Sequence, residues 1–183
     1  MGTDIYSSRG VIVEIDDFLK VINGKSKSDV VEVCLGFHQD VVVDARQNPD
    51  DDWRKNLAAS FKPLGSLKKS MKLDEIREII ASVVTVGGEV AKYGDCWVEH
   101  SEDVQDLFTK ILDVCPHAND VPYIQEVTAW GSGRNNGWEV PFGVACVVFD
   151  SESCYERTLS DQGRAVKKAF GHCDETEWTT VSY

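Results

Sequence analysis

The stretch Gly131-Ser132-Gly133-Arg134-Asn135-Asn136-Gly137, set between Trp130 and Trp138, carries the residue types of an anion site. Backbone amides of a glycine-rich loop can cradle a phosphate or carboxylate, and Arg134 can pair with it. Phosphate cradles, however, usually open a helix whose first amides complete the site. This one leads into a β-rich run and lacks the Gly-Lys-Ser/Thr ending. The favoured reading is therefore a hairpin loop, with Trp130 and Trp138 either offering contact area to a partner or pairing across the strands.

Metal chemistry has even less to stand on. Cys115 with His117, and His172 with Cys173, are the close Cys/His pairs. Neither has the two-residue gap between ligands that marks a zinc finger or ribbon, so a metal site would require folding to unite the two pairs. No cofactor is expected. Nucleophile elbows, His-Glu-x-x-His, kinase loops and the dinucleotide fingerprint are all absent from the sequence. The reading leans against an enzyme, while catalysis by residues distant in sequence stays open.

What the sequence does concentrate is negative charge. The chain of 183 residues has 31 acidic and 19 basic side chains, a net -12. Half of that falls between Asp95 and Val121, where seven acids face Lys110 alone. Direct binding to nucleic acid is disfavoured by repulsion, whereas a basic protein partner is favoured. Within this stretch Glu102, Asp103, Asp106 and Asp113 fall on a helical segment, where carboxylates can stand roughly where phosphates would. Acidic anti-restriction and anti-CRISPR proteins act as nucleic-acid mimics in this way. The likeness is in size and charge, with no shared motif.

The elements that must position these residues follow from periodicity and caps. Ser101 opens a helix whose apolar positions Val104, Leu107, Phe108, Ile111, Leu112 and Cys115 share one face, and Pro116 ends it. Ser28 to Ala45 favours helix by its spacing, although its valines and Gly36 also suit strands. Asn48-Pro49 followed by three aspartates reads as a helix start, with Asn48 as cap and Trp53, Leu57 and Phe61 on the buried face. Leu73 to Tyr93 reads as helix with a break at Gly87-Gly88, Asp16 to Asn23 as a short helix, and Ser160 to Phe170 as another.

Gly10 to Ile15, Tyr123 to Trp130, Trp138 to Asp150 and Glu177 to Tyr183 read as strands. The expected fold is thus a single α+β domain over residues 1–183. Its mostly antiparallel sheet, made of an N-terminal strand, a C-terminal hairpin and a final strand, would be covered by helices.

Six scattered cysteines in a chain large enough to bury its own core suggest reduced, structural thiols and a cytoplasmic location. No apolar run is long enough for a membrane span, and no membrane partner is expected. The leading functional expectation is a non-enzymatic binding protein, an inhibitor or regulator docking acidic residues on a basic partner. Two alternatives accompany it: a ligand-binding protein or enzyme using Arg134 in the Gly131–Gly137 loop, and a subunit of a larger assembly joined through the edge that contains Pro141.

Overall fold

The computed structural model describes residues 4–85, 101–115, 126–130, 133–135, 138–140, 144–150, 161–170 and 174–182, with side chains placed at 13, 15–83, 103–115 and 164–170. Its helices are α1 (Ile15–Phe18), which continues as a 3-10 turn over Leu19–Val21, α2 (Lys27–Gln47), α3 (Asp52–Ser60), α4 (Leu73–Thr85), α5 (Ser101–Asp113) and α6 (Asp161–Phe170). A second 3-10 turn covers Lys62–Ser66.

The α+β expectation is corrected here. The part of the chain with placed side chains is 79% helical and holds no sheet, so the body reads as all-helical. Its interior is packed helix against helix. α2 buries Val30, Val31, Cys34, Phe37 and Val41, a row at spacings of three and four that brings them to one face. α4 adds Ile76, Ile80 and Val83, and α5 adds Val104, Leu107, Phe108, Ile111 and Leu112. Phe108 meets Phe18 with ring centroids 4.9 Å apart, Phe18 meets Phe170 of α6 at 5.8 Å, and Phe37 meets Phe61 edge-on at 4.9 Å. The first pair is tilted, the second stacked and the third edge-on, arrangements that add to simple burial.

Strands are described as well, by their backbone except at the buried Val13: β1 (Asp4–Glu14), β2 (Glu126–Trp130), β3 (Gly133–Asn135), β4 (Trp138–Val140), β5 (Val144–Asp150) and β6 (Asp174–Ser182). They pair antiparallel in the order β2-β5-β1-β6, with β3 against β4 separately. The packed side chains of the body come mostly from helices, with Val13 of β1 buried among them, and α5 lies beside both α2 and the backbone of β2.

Local chemistry fixes the helix ends. The Asp51 carboxylate accepts from the Trp53 amide at 3.1 Å and caps α3. The Asn48-Pro49 pattern assigns that role to Asn48. Instead Asn48 ends α2, its side-chain amide donating to the Asp44 carbonyl at 3.0 Å. Because α2 runs on to Gln47, Asn48 is used by the earlier helix and Asp51 starts the next. At the head of α4 the Glu75 carboxylate accepts from the Lys72 amide at 2.7 Å, the reach-back half of a capping box. Arg77 ties α4 to the first 3-10 turn by donating to the carbonyls of Leu19 (3.2 Å) and Ile22 (2.6 Å).

Candidate functional site

α5 divides its residues as the spacing requires. Val104, Leu107, Phe108 and Ile111 are buried, while Asp106 and Asp113 are exposed and Asp103 is half-buried. Asp106 is not a bare charge: the Lys110 ammonium donates to it at 2.7 Å, one helical turn on. Glu102 lies in the first turn of α5, and its side chain falls outside the described residues. The acidic residues named from the sequence thus occupy one helix, with three of them described and held against the core by its apolar face.

Beside that helix lies a feature that sequence reasoning missed. A groove of about 230 Å³ runs between α2, α3 and α5. Phe37, Val41 and Leu57 form its apolar floor, Trp53 stands at one side, and the carboxylates Asp40, Asp44, Asp103 and Asp106 rim it with Lys110. Asp40 and Asp44 are one turn apart on α2, and Asp103 and Asp106 nearly one turn apart on α5, so two acidic rows border the strip. Trp53, placed by its spacing on the buried face of its helix, is instead 49% exposed, whereas Leu57 and Phe61 of the same row are buried. It lies in the first turn of α3 and borders the groove with Phe37, Asp40, Val41 and Asp44 of α2.

Cations already meet the aromatic groups here. The Lys110 ammonium lies 5.2 Å from the centre of the Phe37 ring, and the Arg54 guanidinium 5.6 Å from that of Trp53. Arg54 also pairs with Asp44, and with Asp51 at 3.0 Å. These bonds, the one to Asp44 foremost, hold its pKa above the ordinary arginine value.

The other candidates fare differently. Trp130 lies in β2 opposite Val144, Arg134 in β3 opposite Glu139, and Trp138 in β4 opposite Asn135. These are backbone registers; the three side chains, and Gly131, Ser132, Asn136 and Gly137 altogether, lie outside the described residues, as does Pro141. Of the metal candidates, Cys115 is buried in the helical core, and His117, His172 and Cys173 lie outside the described residues. Among the described residues no group of three or more His, Cys, Asp or Glu is placed to hold a metal ion.

Cys115 has other company. Its thiol is hydrogen-bonded to Ser26, the buried residue before α2, and burial raises its pKa. Burial, reinforced by nearby Cys115, pushes the Cys34 thiol up to about 12. Both are free cysteines and sit as small apolar side chains between α2 and the end of α5. No described helix is long and apolar enough to cross a membrane. Comparison with protein-family models, with curated proteins and with solved structures finds no match.

Proposed function

We propose that this chain is a non-enzymatic binding protein, an inhibitor or regulator that docks the acidic side of α5 on a basic surface of a protein partner, as nucleic-acid-mimicking proteins do. One observation carries the reading: α5 commits its whole apolar face to the core and leaves Asp106 and Asp113 in solvent. A helix anchored in this way presents charge without having to order itself on binding, which lowers the entropic cost of association. The surplus of 12 negative charges adds long-range attraction to a cationic partner and repels nucleic acid.

The test starts with the protein partner recovered from the native cells. Its affinity is measured by calorimetry at low and high salt for the wild type and for a Glu102→Lys, Asp106→Lys, Asp113→Lys triple variant. The expected outcome is a marked loss on charge reversal and a wild-type affinity that falls as salt rises, because exposed charges are screened. Association indifferent to both salt and reversal would overturn the reading.

A further inference from the structure

The groove between α2, α3 and α5 narrows the chemistry of such a partner. We propose that it receives an arginine- or lysine-bearing segment of that protein, with the aliphatic stem against Trp53 and the cationic head between the α2 and α5 carboxylates. The proposal rests on the reading above that the partner is basic. It adds a specific seat, partly on helices other than α5.

Size argues first. At about 230 Å³ the groove falls below the roughly 300–1,000 Å³ of pockets that enclose small molecules, and suits inserted side chains. Charge argues second. Four carboxylates line the groove with Lys110: Asp106 pairs with that lysine and Asp44 with Arg54 at the margin, while the α2 row also offers the exposed Asp40. A second copy of a chain carrying -12 would meet repulsion here, as would nucleic acid.

Trp53 supplies an aromatic wall. It stays half in solvent although Leu57, four residues on, is buried, and it borders an apolar floor. Tryptophan, with tyrosine and arginine, is enriched among the energetic anchors of protein interfaces. Arginine and lysine stems pack on such rings while the charged head reaches polar groups at the rim. The protein uses the same chemistry internally, in Lys110 over Phe37 and Arg54 over Trp53.

The experiment uses the intact protein and a nona-arginine peptide, with calorimetry at low salt and circular dichroism to check each variant's fold. Trp53→Ala and Asp40→Asn are each expected to weaken binding about five-fold (~1 kcal/mol). Asp29→Asn serves as the control. This exposed acid lies eleven residues before Asp40 on α2, about 16 Å along the helix, and its replacement is expected to leave affinity unchanged.

Equal small losses for Asp29→Asn and Asp40→Asn with none for Trp53→Ala would overturn the groove, since only overall charge would then matter. So would binding that responds to reversal of Glu102 and Asp113 but ignores both Trp53→Ala and Asp40→Asn, an outcome that leaves the acidic-helix reading standing. Absence of binding to the wild type at low salt would overturn both.

Discussion

Raising the pH above 9 should loosen the helical body through one thiol. Cys34 is fully buried on α2, and burial, with Cys115 nearby, lifts its pKa from 9.0 to about 12. In the unfolded chain the thiol returns to its ordinary value and loses its proton above pH 9, while the folded protein keeps it. The unfolded state then binds fewer protons, so stability falls with rising pH, by about 1.4 kcal/mol per unit between the two pKa values. Below pH 9 the thiol makes no pH-dependent contribution. At pH 10.5 the loss reaches roughly 2 kcal/mol, a sizeable share of the 5–15 kcal/mol typical of a domain.

Lysines and tyrosines titrate in the same range, so the wild type alone is not informative. Urea unfolding of the wild type and of Cys34→Ala, each at pH 7.5 and 10.5, isolates the thiol. At pH 7.5 the variant differs by a packing cost. By pH 10.5 the gap should shift by about 2 kcal/mol in the variant's favour. A gap unchanged between the two pH values would refute the reasoning, because it would mean that Cys34 ionises in the folded state as readily as in the unfolded chain.

Three further outcomes test the framework of the site. Phe108→Ala removes a fully buried ring in contact with Phe18 and should cost about 3–5 kcal/mol in urea unfolding, enough to release α5 from the body. Gly36→Ala should stabilise by roughly 0.5–1 kcal/mol, since Gly36 sits in the interior of α2 and an added methyl meets nothing within 4 Å. Its melting temperature should rise. Arg77→Ala leaves the Leu19 and Ile22 carbonyls without their charged donor and should cost about 1.5–3 kcal/mol, read in the same unfolding assay.

Local signals were the legible ones. α5 could be bounded from Ser101 to its end and its buried face named residue by residue, because capping and the 3.6-residue period both act within a few residues. α2 was legible despite its valines and Gly36, since the apolar spacing outweighed propensity; the glycine faces open space and asks little of its surroundings. The start of α3 was not, because Asn48 and Asp51 can both cap, and the choice depended on how far α2 ran. Nor did the strand-like runs reveal that the packed body is helical: alternation marks where a strand can form, and says nothing of which elements share a core.

The groove was invisible for a related reason. Trp53 has the same four-residue spacing as Leu57 and Phe61, and periodicity assigns all three to the core. A helix face is buried only where neighbours cover it, and Trp53 is left 49% exposed while Leu57 and Phe61 are buried. The rim acids Asp40, Asp44, Asp103 and Asp106 come from segments more than fifty residues apart, so no window of sequence contains them. Charge counted along the chain marks the α5 stretch and, separately, the acidic segment from Val30 to Lys62, without showing that the two meet. Packing joins α5 to a second acidic row and an aromatic side chain, and this changes what the charge can do. A row of acids on a convex helix attracts any cation and distinguishes poorly among them. The same acids beside a tryptophan and an apolar floor ask a partner to bring stem and charge together, which makes contact geometry part of the specificity.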